Sequence, residues 1–176
     1  HYRRAPNRPS FQHSPVREFV HRVGDAPERS SQEGNAGPPA QPLAQEAFLK
    51  YWLLKSEPDV YSLDDLKSEG TGHWDGVRNY QARNNLQAMK KGDLGLFYHS
   101  RSNPPHVAGL CKIAKKAYPD PTAFDPEEKY YDPKSDPDNP RWFCPDVSYW
   151  CHFPEIVTLP AIKEVKSLSD MVLVNN

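Results

Sequence analysis

Trp74-Asp75-Gly76-Val77-Arg78-Asn79-Tyr80-Gln81-Ala82-Arg83-Asn84 packs two aromatics, two arginines, two asparagines, a glutamine and a glycine into eleven residues. A helix that only filled a core would not need that mixture. Asn79 has the side chain of an N-cap, whose oxygen accepts from the free amides of a first helical turn. The spacing predicts a helix from there to about Met89, with Ala82, Leu86 and Met89 at i, i+4 and i+7 on one apolar face. Trp74, Arg78 and Asn79 stand before that helix, where backbone donors and the positive end of the dipole point outward. An aromatic plane, a guanidinium and unpaired amides at one helix start suit a flat, polar, anion-linked ligand such as a nucleotide. The same residues also admit a structural reading. In it Trp74 anchors the core, and Arg78 and Arg83 are solvated or pair with carboxylates such as Asp75.

Upstream, Tyr51–Lys55 reads as a short apolar strand that ends at Ser56-Glu57-Pro58, because Pro58 cannot continue a ladder. Ser62, with Asp65 three residues on, forms an approximate capping box for a short helix whose Leu63 and Leu66 would dock on a sheet. Gly70 and Gly72 then lead into Trp74. Downstream, Lys91-Gly92-Asp93 is a turn signal. Leu94–Ser100 favours strand through Leu96, Phe97 and Tyr98, and 101–105 is a polar loop. Val107–Ala117 reads as a strand with Val107, Gly109, Cys111 and Ile113 on one side, and Gly109 suggests a bulge or a close backbone approach. Tyr118–Pro140, dense in Pro and Asp, is expected to be an ordered loop pinned by Phe124, Tyr130 and Tyr131. Arg141–Phe153 is a long strand with Pro145 at a bulge or edge. Leu159–Val165 forms a short helix, and Met171–Val174 begins another strand.

At 176 residues one domain is the default, and 37% apolar residues is low for a chain packed end to end. The shortfall lies in residues 1–49, which carry seven prolines with many Ser, Gln and Arg. Such a segment buries too little surface to offset its ordering entropy, so it is expected to be a disordered tail, with at most a transient helix around Phe19, Val20 and Val23. The folded domain is then 50–176. Residues 1–49 hold six Arg against five acids, and 50–176 hold sixteen Lys+Arg against eighteen acids. No global field drives nucleic-acid binding, so phosphate attraction needs a local patch. Lys112, Lys115, Lys116, Lys90 and Lys91 are candidates, with a solvated strand face as the plain alternative.

Cys111, Cys144 and Cys151 show no CxxC spacing and read as buried reduced thiols. No apolar run approaches membrane-spanning length. The first seventeen residues hold four Arg and no acid, faintly like an organellar transit peptide.

Several motifs in order carry a family resemblance: WLLKSEPDVYSLDDL at 52–66, WDGVRNYQARN at 74–84, GDLGLFYHS at 92–100, VAGLCKI at 107–113, AYPDPTAFDP at 117–126, YYDP at 130–133, and the RW…DV segment at 141–147. From about Tyr51 to Val174 the chain resembles the EVE domain of the PUA-like superfamily, of the thymocyte nuclear protein type. The resemblance implies an α+β fold: a PUA-like β-barrel with short helices at its rim. It also implies a further closing strand beyond Asn176. EVE domains are similar to the YTH fold and hold a modified base in an aromatic-lined cleft. The resemblance further implies 5-methyl- or 5-hydroxymethylcytosine in DNA as ligand and the nucleus as location, with mitochondrion and cytoplasm as alternatives.

Catalysis finds little support in the residues. His99 and Ser100 are adjacent on a strand and point to opposite faces, so they cannot act on one spot. His73, His99, His106 and His152 show no metal spacing. No cofactor or metal is expected, and the chain is read as a non-catalytic, monomeric module whose partner is nucleic acid. A displaced base needs planar walls, edge contacts and cations for the flanking phosphates. Within the matched motifs, Trp74 and Tyr98 are assigned as walls, and Asn79, Ser56 and Lys55 as edge contacts. Arg78 and Arg83 are assigned to phosphate, and Arg101 to the passing strand. The rival readings are a reader of modified or structured RNA, an enzyme acting on modified bases, and a peptide-binding module.

Overall fold

In the computed structural model, which describes residues 20–25 and 49–175, six strands form one mixed sheet. They are β1 (Val20–Asp25), β2 (Lys50–Ser56), β3 (Thr71–His73), β4 (Leu94–His99), β5 (His106–Pro119) and β6 (Phe143–Thr158), in the order β1-β2-β4-β5-β6-β3. Strands β2 and β4 run parallel, and every other pair is antiparallel. Among the described residues β1 and β3 remain the two edges, so the expected closed barrel is corrected to an open sheet. Closure would need a ladder between those edges, and β3 is three residues long and pairs with β6.

Alternation along the strands builds two cores. Trp52, Leu54 and Phe97 face one side with Cys111 and Ile113, under helices α1 (Leu63–Glu69) and α2 (Tyr80–Ala88). Leu53 and Tyr98 face the other with Val107, where Ile162 of α3 (Leu159–Glu164) covers them. Each such aliphatic or aromatic side chain contributes about 1.5–3 kcal/mol by leaving water. Gly109 lets β5 serve both cores. The register slips between Val107 and Gly109, so Val107 lies in one core and Cys111 and Ile113 in the other, which corrects the expectation that their even spacing puts them on one side. A Cβ at Gly109 would lie 2.8 Å from the His152 Cα and closer still to the Cys151 carbonyl, so the predicted close approach is there. Burial pushes the Cys111 thiol up to about 12 and the Cys144 thiol likewise to about 12, consistent with inert, reduced side chains.

Local chemistry sets the helix starts. Ser62 accepts from the Asp65 amide, and the Asp65 carboxylate accepts from the Ser62 amide, completing the predicted box for α1. Helix α2 begins after Asn79, whose Oδ1 accepts from the Ala82 amide at 2.9 Å, and it buries Ala82 and Leu86, with Met89 at its C-cap. The turn at Gly92 has φ +99° and delivers Asp93, which is buried and accepts from the Trp52 indole N–H at 2.9 Å and from the Lys50 and Lys90 amides. Pro145 falls within a register shift between β5 and β6, as a residue without an N–H must.

Three expectations are corrected. Val20–Asp25, read as part of a structureless tail, pairs with Lys50–Leu54 as β1. Met171–Val174, read as the start of a strand, is instead the start of a short helix, α4 (Val172–Asn175). Strand β6 runs five residues past Phe153, because its second half pairs with the start of β5. The tail reading for 1–19 and 26–48 falls outside the described residues.

Candidate functional site

The Trp74–Asn79 turn is held from below by Asp120, which is 0% exposed. Gly76, at φ +74°, donates its N–H to Asp120 Oδ2 at 2.9 Å, and a Cβ there would meet the Tyr130 ring at 2.6 Å. Arg78 turns inward to the same carboxylate. Its Nη1 donates to Asp120 Oδ2 at 2.8 Å, its Nε to the Tyr130 carbonyl at 2.9 Å, and its Nη2 to Thr122 Oγ1 at 3.0 Å. Asp120 Oδ1 accepts from the Thr122 amide and hydroxyl, an Asx turn. Arg78 therefore ties the turn to the loop that follows β5. Its assignment to phosphate is corrected, because its donors are already directed at protein oxygens.

Trp74 is 0% exposed and meets Phe97 edge-on at 5.5 Å, while its amide donates to the Pro145 carbonyl at 2.9 Å. An indole with no exposed surface cannot stack on a ligand, so the wall assigned to it is corrected to a core anchor. Tyr98 is corrected likewise. It lies one residue from Phe97 on the opposite face, packed with Leu53, Val107 and Ile162, and burial raises its hydroxyl pKa.

The remaining assigned residues fall into two groups. One sits where β2 and β4 end side by side, with Lys55 opposite Tyr98 and Ser56 opposite His99. Ser56 is fully buried, and its carbonyl accepts from the Ser100 amide at 2.8 Å and hydroxyl at 3.2 Å. Lys55 is half-buried. Arg101 has its side chain 78% exposed, a φ of +55°, and an ion pair from its Nε to Glu57 Oε1 at 3.0 Å. Beside them His99 Nε2 accepts from the Leu63 amide in the first turn of α1, and the His99 ring stands edge-on to His106 at 5.2 Å. Burial, then the neighbouring His106, lowers the His99 pKa, so it is a neutral acceptor. His99 and Ser100 each serve a separate backbone partner, consistent with the absence of a Ser-His pair.

The second group surrounds the start of α2. Asn79 is exposed and acts as the cap. Arg83 donates to Asn84 Oδ1 and the Arg141 carbonyl, with its guanidinium 4.8 Å from the Tyr80 ring centre. Sequence reasoning passed over Tyr80, which is 49% exposed and stacks on Trp142 at 5.0 Å. Arg141 bonds the Tyr80 hydroxyl and pairs with Asp132 at 3.2 Å. The Trp142 indole N–H donates to Asp132 at 2.7 Å and holds its carboxyl below the usual range. Tyr80 belongs to the Trp74–Asn84 stretch, and its signal is an aromatic at the first helical position, facing away from buried Ala82 and Leu86.

Among the described residues no group of three or more His, Cys, Asp or Glu could hold a metal ion, and no helix is long and apolar enough to cross a membrane. Similarity to known proteins supplies the family. The human thymocyte nuclear protein 1 is 45% identical over 124 residues, 64% of this chain and 55% of that protein, and the chain spans about half the length of the curated relatives it matches. A crystal structure of human THYN1 protein in complex with 5-methylcytosine-containing DNA superposes with a TM-score of 0.67 at 41% identity, covering 72% of this chain and 85% of that one. The structure of a hypothetical protein from Leishmania major gives 0.69 at 44% identity, covering 73% and 82%. The EVE domain family model matches residues 50–176, most of the chain, so this chain belongs to the EVE domain family.

Proposed function

We propose that this chain is a non-catalytic reader of a modified base in nucleic acid, and that the base is a 5-substituted cytosine in DNA. One observation carries the reading: a solved relative at 41% identity is a complex with 5-methylcytosine-containing DNA. The cations and polar groups beside the matched motifs support it. Lys55 and Arg101 border the ends of β2 and β4, and Asn79 and Arg83 border the start of α2. In this proposal Lys55 and Asn79 meet the base edge, and Arg83 and Arg101 meet the flanking phosphates. Ser56 shapes the floor through its backbone. Trp74 and Phe97 hold both groups from within rather than touching the ligand. A protein of this kind acts in the nucleus, as the name of its human relative suggests.

A methyl or hydroxymethyl group adds one small contact, so preference over plain cytosine should be about 5- to 150-fold, the equivalent of about 1–3 kcal/mol. Anisotropy titrations with duplexes that differ only at one cytosine C5 test this. A preference for the 5-methyl or 5-hydroxymethyl duplex supports the reading, and equal affinity across the panel overturns it. Tighter binding to matched RNA would favour an RNA reader. Altered nucleosides after incubation, found by mass spectrometry, would make the protein an enzyme.

A further inference from the structure

The face of β5 and β6 carries a feature that base reading does not use. Trp150 is 53% exposed, the most exposed large hydrophobic side chain among the described residues. Its position follows from the ladder. Leu110 faces Cys151 but Cys111 faces Tyr149, so Trp150 is an extra residue in β6, and such bulges re-aim a side chain. Lys112 lays its Nζ 4.4 Å from the indole centre, and the Lys115 Nζ lies 4.2 Å from the Tyr118 ring centre. Lys116 follows, exposed, within the register shift between Lys115 and Tyr118 that interrupts strict alternation. Exposed Lys90 and Lys91 join them, because the next residue, Gly92, donates to the Ile113 carbonyl at 2.9 Å and the Ile113 amide donates to the Asp93 carbonyl at 2.9 Å.

The two carboxylates that backbone pairing brings among these lysines are already engaged. Asp93 is buried and accepts from the Trp52 indole N–H and from the backbone amides of Lys50 and Lys90. Asp146, opposite Lys115, contacts His73 and the Tyr118 hydroxyl, both at 2.7 Å. Five lysines thus stand with two internally bonded carboxylates, on a chain whose net charge is −1. The excess of lysines over carboxylates is local, and the outward ring of Trp150 stands against one of them, Lys112.

We propose that Trp150 with Lys90, Lys91, Lys112, Lys115 and Lys116 forms a second nucleic-acid contact surface, in which the ammonium groups follow phosphates and the indole stacks on an unpaired base. The proposal rests on the nucleic-acid reading above and adds a surface that is indifferent to base identity. A ring beside a line of ammonium groups matches the alternation of flat base and phosphate along a strand. An acidic peptide would have the charge but no flat group for Trp150.

The test is an anisotropy titration of the full chain across salt concentrations, with an unmodified single strand and with a duplex carrying one 5-methylcytosine. Lys112→Gln/Lys115→Gln/Lys116→Gln should weaken both by the same factor, about tenfold or more near 0.1 M salt. It should also flatten the plot of log affinity against log salt by about two to three in slope, with the 5-methyl preference intact. Trp150→Ala should weaken the single strand about tenfold and the duplex less. Unchanged affinity and salt slope in the triple variant overturn the surface, even where the 5-methyl preference persists. Loss of the preference alone also overturns it, because the lysines would then belong to the base site. A lysine effect with no 5-methyl preference in the unaltered chain sinks the base-reading proposal and leaves this surface standing.

Discussion

Replacing Asp120 by alanine removes the acceptor that joins the Trp74–Asn79 turn to the loop after β5. Asp120 accepts four hydrogen bonds at 2.7–2.9 Å, from Gly76, Arg78 and both Thr122 donors. Its own side chain is 0% exposed and that of Arg78 is 21% exposed. Removing one partner of a buried ion pair typically costs about 3–5 kcal/mol. Arg78 keeps its Tyr130 and Thr122 acceptors and some solvent contact, so the lower end, about 3 kcal/mol, is expected. With a urea m-value of about 1–3 kcal/mol/M, the unfolding midpoint should fall by about 1–3 M at unchanged m. Asp120→Asn keeps an acceptor for Thr122 and should cost less. Pairing Asp120→Ala with Arg78→Leu in a double-mutant cycle should reveal coupling of about 1.5–3 kcal/mol. Additivity within about 0.5 kcal/mol would show that the two side chains do not act as a pair, and Arg78 would again be a candidate for phosphate.

Three further predictions follow from single environments. Trp74→Ala should cost about 3–5 kcal/mol as a core cavity, whereas Trp74→Phe should lose stability yet keep any preference for modified cytosine; a stable Phe variant without that preference would make the indole a ligand group. His99 has a folded pKa below its unfolded value of about 6.5, so folding favours the neutral ring. Its contribution is complete above the unfolded value and is lost as pH falls through the folded one. His99→Gln, which retains an acceptor for Leu63, should therefore flatten the fall in urea midpoint between about pH 7 and 5. Gly109→Ala would drive a Cβ into the backbone of Cys151 and His152, and a loss of less than about 1 kcal/mol by urea unfolding would contradict that fit.

The features legible in the sequence are those set by neighbours within a few residues. Asn79 caps α2, Ser62 and Asp65 box α1, Gly92 turns the chain, and Ala82, Leu86 and Met89 share one buried face. Gly109 and Pro145 announced their bulges because one admits a backbone approach that a Cβ would block and the other has no N–H to give a ladder. What stayed hidden depends on partners far along the chain. Val20–Asp25 becomes a strand only because β2 offers it an edge some thirty residues away. Arg78 meets a carboxylate forty-two residues on, so its spacing from Asp75 was no guide to its partner. Trp74 and Tyr98 fit a wall by residue type, because aromatics suit both a cleft and a core. Which one they line is decided by the layers that cover them, Phe97 for one and α3 for the other. Family resemblance supplied the α+β class, but edge pairing alone determines whether the sheet closes.

The most direct test of base reading is a comparison of amide chemical shifts on adding two duplexes that differ by one cytosine methyl group. Base reading at this site should give methyl-dependent shifts at Lys55, Ser56, Asn79 and Arg101, with the Lys112–Lys116 segment moving equally for both duplexes. Identical shifts for the two, or methyl-dependent shifts confined to residues away from those four, would contradict it.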